Sequence, residues 1–157
     1  MQKRFFRHAA MAIVAIGFLS VGTTQSADIL TYTGSDRTAK LIAGAKKEGQ
    51  LTLYTALTVN QAVRPLIAGF MAKYPFIKME YWRGSSRKIA QKVNAERRAD
   101  SLVVDVMEGS GLAMIMVKSK AVAKFTTPMA DSVPKKFRDP DNLWVPSRFS
   151  YFGMAYN

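Results

Sequence analysis

GQLTLYTALTVNQAVRPLIAGFMAKYPFIKMEYWR, residues 49–83, is the stretch that decides the fold. It opens with a short apolar run over residues 51–56, which predicts a buried strand. The period then changes, because the apolar side chains of residues 63–74 recur on one face of a helix. Pro75 ends this helix, and a second apolar strand follows over residues 76–81. Strand, helix and strand with short links predict a right-handed βαβ unit in a parallel sheet.

The start of the helix in this unit has two conflicting signals. Thr58 and Gln61 match a capping box, in which each side chain bonds an amide near the other residue. Pro65 lies one turn further on and removes a hydrogen bond from the helix. We therefore expect a separate first turn and a regular helix only from Arg64.

Strands and helices continue to alternate after this unit. The next helix carries a narrow apolar stripe that includes Ile89 and Val93. Residues 102–107 form a nearly continuous apolar run, which is typical of a strand covered on both faces. An apolar helix over residues 112–118 follows, with Ser110 as its predicted cap. The predicted fold class is therefore α/β, with a doubly wound, mostly parallel sheet flanked by helices.

The last third of the chain is less regular. Residues 121–125 predict a short fourth strand, and the proline-rich residues 127–142 predict an irregular surface segment. Residues 144–157, WVPSRFSYFGMAYN, are rich in β-forming and aromatic side chains and predict a buried strand. Because this strand stops at the last residue, we expect the sequence to be a piece of a longer protein.

The first 27 residues have the pattern of a secretory signal. Lys3, Arg4 and Arg7 give a positive start, residues 9–19 are apolar, and small residues follow at the cleavage position. The alternative is a membrane anchor, but this apolar run is shorter than the roughly 20 residues that cross a bilayer. We therefore predict a periplasmic or secreted protein with no stable membrane anchor after cleavage.

Composition limits the chemistry of the chain. Its 157 residues allow one domain, and none of them is a cysteine, which excludes disulfides and thiolate sites. The single histidine, His8, lies in the predicted signal, so the mature chain has no histidine for catalysis or metal binding. The net charge of +12 is compatible with an anionic ligand, a membrane surface, nucleic acid or a solvated lysine-rich surface.

Ligands of open parallel sheets bind outside the carboxyl ends of the strands, so the loops after the strands hold the candidate site residues. Three successive loops carry glycine, hydroxyl or charged side chains and lead into helices, whose free amides suit an anionic or polar ligand. The candidate ligand-binding residues are Leu57, Thr58 and Asn60 in the first loop, Arg83, Gly84, Ser85 and Ser86 in the second, and Glu108, Gly109 and Ser110 in the third.

Each of these loops also has a purely structural interpretation. In the first loop, Thr58 and Asn60 would only cap the helix, and in the second a serine would do the same. Arg83 would be a surface arginine stacked on Trp82. The sequence leaves these alternatives open.

Two carboxylates near the third strand raise the question of a metal ion. Asp105 and Glu108 have oxygen ligands of the kind that hard cations bind. The alternative is that both carboxylates accept hydrogen bonds from local amides. Met107, Met114 and Met116 indicate core packing rather than a metal motif. We predict no bound metal ion, no cofactor and no catalytic residue.

Four segments together resemble the periplasmic solute-binding proteins of ABC transporters, in the group that includes ferric-ion-binding proteins. They are residues 47–75, 77–96, 103–117 and 143–157. The resemblance implies two α/β lobes joined by crossing strands, a solute held between the lobes, and a chain about twice as long as this one. Residues 28–150 would then be the amino-terminal lobe, and residues 151–157 would begin the hinge, with Tyr156 and Asn157 at it.

The resemblance also implies a function and partners. The protein would not be an enzyme, but would capture a small molecule or ion and deliver it to an inner-membrane ABC permease, without binding nucleic acid. The tyrosine pair that holds iron in ferric-binding relatives belongs to the second lobe, and the first loop lacks the histidine of some iron binders. Lys120 falls where relatives often have glycine, and left-handed backbone costs a lysine about 1 kcal/mol.

Two other classes of function stay open at this point. One is a secreted α/β hydrolase that uses Asp105 and Glu108 with a divalent cation. The other is a basic protein that binds anionic lipid or nucleic acid through the lysines around Lys135. Against the first stands the absence of a compact catalytic constellation, and against the second the absence of a nucleic-acid-binding motif.

Overall fold

The computed structural model describes residues 29–149 and 153–155. The predicted signal, residues 1–27, and the predicted hinge residues Tyr156 and Asn157 lie outside the described residues, so the proposed domain boundaries stay predictions. Residues 153–155, which are described, are exposed and adopt neither helix nor strand.

The described chain folds as an α/β unit, which confirms the predicted class. In chain order its helices and strands are α1 (Arg37–Glu48), β1 (Gln50–Thr55), α2 (Arg64–Lys73), β2 (Lys78–Arg83), α3 (Ser86–Arg98), β3 (Val106–Glu108) and α4 (Leu112–Lys118). A π-helical turn, Val59–Val63, precedes α2, and two 3₁₀ turns, Pro128–Ser132 and Lys135–Phe137, follow α4.

The sheet has three parallel strands in the order β2-β1-β3, with β1 in the centre. The connection from β1 to β2 and that from β2 to β3 run in opposite directions across the sheet. Right-handed crossovers therefore place α2 and α3 on opposite faces, which is the doubly wound arrangement. All three strands end at the same edge of the sheet, and the loop after each strand starts there.

The main core lies on the face of the sheet that α3 and α4 cover. Tyr54 of β1 packs there with side chains of both helices, and Trp82 of β2 packs against the cluster from its side. The buried members of this cluster are Tyr54, Ile89, Ala90, Val93, Leu112 and Met116. The apolar stripe predicted for the helix after the second strand is thus confirmed.

The start of α2 agrees with the expectation drawn from Pro65, but the capping box is wrong. A separate π-helical turn comes first, and regular α-helix begins at Arg64. The Thr58 side chain makes no cap hydrogen bond. Instead its carbonyl accepts both the Ala62 and the Val63 amide, at 3.1 and 3.2 Å, because the wider turn brings two amides to one carbonyl.

Two of the predicted strands differ from those in the structure. The third strand is only Val106–Glu108, and Leu102, Val103 and Val106 are about half exposed, so the run is not covered on both faces. Residues 121–125 form no strand, because a strand needs a ladder and Phe125 makes a single bond of 2.9 Å to the Asn142 carbonyl.

The predicted terminal strand is also absent over its described parts, residues 144–149 and 153–155, which are irregular and mostly exposed. The irregular segment predicted for residues 127–142 is confirmed. Lys120 has a φ of 50°, so the strained left-handed position expected for it is confirmed as well. Gly49 ends α1, with a φ of 70° and its amide on the Ala45 carbonyl.

A polar network anchors the end of α3 to the sheet. The Tyr54 hydroxyl donates to Glu96 Oε1 at 2.7 Å, and Lys92 Nζ lies 2.7 Å from the same oxygen. Burial pushes the pKa of Glu96 up, but the hydrogen bonds from Lys92 and Tyr54 and the charge of Lys92 outweigh it and leave that pKa lowered. The ionised form of Glu96 is therefore the form that the folded chain prefers.

This lowered pKa predicts a loss of stability in acid. The pKa of Glu96 in the folded chain lies below its unfolded value of about 4.3. The contribution of Glu96 to the free energy of unfolding is therefore complete above that value and is lost as pH falls through the folded pKa. We expect the free energy of unfolding, measured by urea titration, to fall as pH drops below about 5 and to go on falling through the lowered folded pKa of Glu96, and to fall less in Glu96→Gln.

Tyr54→Phe provides the graded comparison for this experiment. It removes one of the two hydrogen bonds to Glu96 and keeps the buried ring, so its pH slope should lie between those of Glu96→Gln and the unaltered chain. Identical slopes in all three proteins would show that Glu96 does not titrate with folding.

Candidate ligand-binding rim

The loops after the three strands come together at one edge of the sheet. We call residues 56–60, 83–86 and 108–111 the rim. Backbone hydrogen bonds continue the ladder into it, because the Ala56 amide donates to the Glu108 carbonyl and the Gly84 amide to the Thr55 carbonyl, each at 3.0 Å. The three loops therefore lie at one edge of the sheet, as the sequence predicts.

Thr55, the last residue of β1, is the centre of the hydrogen bonding at the rim. It is fully buried, and its hydroxyl donates to Glu108 Oε2 at 2.8 Å. The Thr55 hydroxyl oxygen in turn accepts the Leu57 amide at 3.0 Å. One hydroxyl thus fixes both the direction of the first loop and the position of the Glu108 carboxylate.

Glu108 is held on its other side by a residue from late in the chain. Arg148 Nε lies 3.4 Å from Glu108 Oε1, and only 14% of the Glu108 side chain is exposed. Both carboxylate oxygens therefore have partners within the chain. Glu108 therefore serves to position its two neighbours, Thr55 and Arg148.

Arg83, the last residue of β2, leans over the first loop. Its Nε donates to the Leu57 carbonyl at 3.4 Å, and the residue is exposed. The predicted alternative, stacking on Trp82, is not what the structure shows, because the cation over the Trp82 ring is Lys92, at 5.7 Å. The orientation of Arg83 is instead set by the first loop of the rim.

Two glycines of the rim, Gly84 and Gly109, are positions without room for a side chain. A Cβ atom at Gly109 would lie 2.6 Å from Ser86 Oγ, so the third loop packs directly on the start of α3. A Cβ atom at buried Gly84 would lie 2.6 Å from the Trp82 ring. The cap of α3 is Ser85, as one prediction held, since its Oγ accepts the Lys88 amide at 3.4 Å.

Several predicted site residues are at the rim but outside this network. Thr58, Asn60 and Ser110 are exposed. The cap predicted at Ser110 is wrong, because a turn from Leu112 to the Gly109 carbonyl, 3.2 Å, places Gly111 before α4 with a φ of 70°. The structure thus joins Leu57, Arg83, Gly84, Ser86, Glu108 and Gly109 and leaves the other four around them.

The carboxylate pair proposed for a cation is not brought together. Asp105 lies in a bend just before β3 and Glu108 is the last residue of β3, and each carboxylate has its own hydrogen-bond partner. Asp105 accepts the Thr52 amide at 2.7 Å, so the hydrogen-bonding alternative describes both carboxylates, with cross-strand partners rather than local amides. Among the described residues, no three acidic, histidine or cysteine side chains form a metal-binding group.

Two residues of this network were missed by the sequence reasoning. The sequence pattern places Thr55 only in a strand, although a hydroxyl at the last position of a central strand is a signal that points to the loops. It places Arg148 only in the terminal β-forming segment, and no local pattern connects Arg148 to Glu108.

A groove of about 480 Å³ lies elsewhere on the molecule, between the start of α1 and residues 125–145. Arg37 lines it and donates to the Thr126 carbonyl at 2.8 Å. No rim residue lines this groove, so it is separate from the predicted site. In the described ranges, no helix combines the length and the apolar character needed to cross a membrane.

Comparison with known proteins bears on the fold. No protein-family model and no curated protein matches the chain. Among solved structures, the chain is similar to Trichodesmium IdiA (FutA) in complex with iron and citrate ligands, with a TM-score of 0.54 and 18% sequence identity. The match covers 62% of this chain and 30% of that chain. At this identity the likeness shows the α/β fold alone, and this chain spans well under half of the solved one.

Proposed function

We propose that this chain is the amino-terminal lobe of a periplasmic solute-binding protein, which captures a small molecule or ion and delivers it to an inner-membrane ABC permease. The observation that carries the proposal is the hydrogen-bonded joining of three strand-end loops at one rim, through Thr55 and Glu108. This edge is where open parallel sheets bind ligands, and the rim holds no catalytic constellation.

The chemistry of the rim suits a small polar solute. The first turn of a helix has amides without partners in that helix, and such a turn begins in the first and second loops. Exposed Thr58 and Ser85 add hydroxyl groups beside these amides. A few polar groups on a rigid frame are how ligand sites fix the orientation of a solute.

A second lobe would complete the site. Solute-binding proteins close two lobes around the solute by a hinge, so one lobe offers half of the contacts. The Trichodesmium structure to which this chain is similar holds iron and citrate and is much longer than the matched part. This likeness supports a small solute or ion as the cargo of the complete protein. We expect the present chain alone to bind its solute weakly, with a Kd of about 1 mM.

NMR titration of the isotope-labelled full chain tests this function, because it detects weak binding and locates it. The probes are sodium phosphate, sodium succinate, glutamine, glucose and spermidine, each at matched ionic strength. We expect at least one probe to shift amide signals at residues 57–60, 83–86 and 108–110. If every probe left these amides unmoved, or shifted only those of the groove at residues 125–145, the proposal would be wrong.

A further inference from the structure

We infer that the rim selects oxyanions, that is, solutes with a carboxylate or phosphate group, through Arg83 and Arg148. This inference rests on the proposed function and names the class of solute for the same site. It depends on how the two guanidinium groups are held and on how the single rim carboxylate is neutralised.

Each of the two arginines is held through its own Nε atom. Arg83 is held through its Nε to the Leu57 carbonyl, and Arg148 through its Nε to Glu108 Oε1, each at 3.4 Å. No described residue is hydrogen-bonded to the terminal nitrogens of either side chain. Toward the described residues, each guanidinium therefore presents two terminal nitrogens without a hydrogen bond, and this planar fork matches a carboxylate or phosphate.

The two guanidinium groups belong to one connected structure. Leu57, which holds Arg83, donates its amide to Thr55, and Thr55 donates its hydroxyl to Glu108, which holds Arg148. Arg83 therefore lies at the end of β2 and Arg148 beside the end of β3, the two strands on either side of β1. We infer that the solute binds at this carboxyl edge of the sheet, where both arginines are.

The charge of the rim favours an anion over a cation. Its charged side chains, counted with Arg148, are Arg83, Glu108 and Arg148, which sum to one positive charge. Both Glu108 oxygens already have partners, Thr55 and Arg148. A cationic solute would meet two guanidinium groups and a carboxylate that is already neutralised, so it is rejected by repulsion as well as by lack of ligands.

NMR titration of the full chain and three variants tests the inference. The probes are sodium phosphate, sodium succinate, spermidine and glucose. Arg83→Gln and Arg148→Gln remove one guanidinium each, whereas Arg98→Gln is the control, because Arg98 is an exposed arginine at the far end of α3. We expect phosphate or succinate to shift the rim amides, with affinity lowered about five- to tenfold in the first two variants and unchanged in the control.

Every outcome decides the question. Binding of phosphate alone or succinate alone identifies the phosphoryl or carboxylate class, and binding of both identifies the shared oxyanion chemistry. If spermidine or glucose shifted the rim amides and the anions did not, the inference would fail while the proposed function stood. Silence of the rim toward all four probes would overturn the inference, and silence toward glutamine as well would overturn the proposed function. Equal weakening in Arg98→Gln would show only unspecific attraction and would also overturn the inference.

Arg148→Lys separates recognition from folding. Replacement of Arg148 frees one oxygen of Glu108, and a changed spectrum of the free variant would reveal a disturbed rim. Lysine keeps the charge and loses the planar fork, so we expect an affinity between those of Arg148→Gln and the unaltered chain. Arg83→Gln leaves Glu108 paired and tests the inference by itself.

Discussion

Ile89→Ala should lower the free energy of unfolding by about 3 kcal/mol, the largest single loss that we expect in this chain. Ile89 has no exposed surface and lies in the cluster that joins Tyr54 of β1 to the buried faces of α3 and α4. Truncation removes its apolar contacts and leaves a cavity between two helices and the sheet. Urea unfolding can be followed by the fluorescence of Trp82, which packs against this cluster.

Ile115→Ala is the matched control for this prediction. It makes the same chemical change on α4, but Ile115 is 41% exposed. The loss should therefore be under about 1 kcal/mol, since little cavity forms at a surface position. Equal losses in the two variants would contradict the packing of α3 on the sheet described above.

The centre of the fold could be predicted because its signals are local. The β1-α2-β2 unit shows a change of period within one stretch of chain, and Pro65 marks the separate first turn before α2. The stripe on α3 is buried where its helical spacing places it. In these elements, side chains a few residues apart in sequence share one face, so the pattern contains the answer.

The later strands could not be predicted in the same way. Residues 102–107 and 121–125 have the composition of strands, but a strand exists only where a neighbouring chain completes its ladder. In the described part of the molecule, β3 pairs with β1 over three residues, and residues 121–125 belong to no ladder. Pairing depends on tertiary contacts that composition does not encode.

The candidate site shows the same division. The three loops could be placed at one edge, because parallel strands end together and each loop follows a strand. The residues that join the loops, Thr55 and Arg148, could not be found from these rules. A buried hydroxyl that bridges two loops, and an arginine from a segment without regular structure, act through contacts between distant parts of the chain.

Thr55→Val should lower the free energy of unfolding by about 2 kcal/mol and should also loosen the rim. Valine has nearly the shape of threonine, so packing at this fully buried position is kept and only the hydroxyl is lost. The loss leaves the Leu57 amide and Glu108 Oε2 without the partner that now lies 3.0 and 2.8 Å away. An unpaired buried polar group costs more than its hydrogen bond contributes.

Thr52→Val on the same strand is the control, because it makes the same change of side chain. Thr52 is partly buried and its side chain makes no bond to the rim. Its effect should stay within about 0.5 kcal/mol, since valine suits a strand as well as threonine does. Amide hydrogen exchange adds a local measurement: the Leu57 amide should exchange faster in Thr55→Val and at an unchanged rate in Thr52→Val. An equally protected Leu57 amide in both variants would show that the Thr55 hydroxyl does not hold the first loop, and the rim would then need another cause for its order.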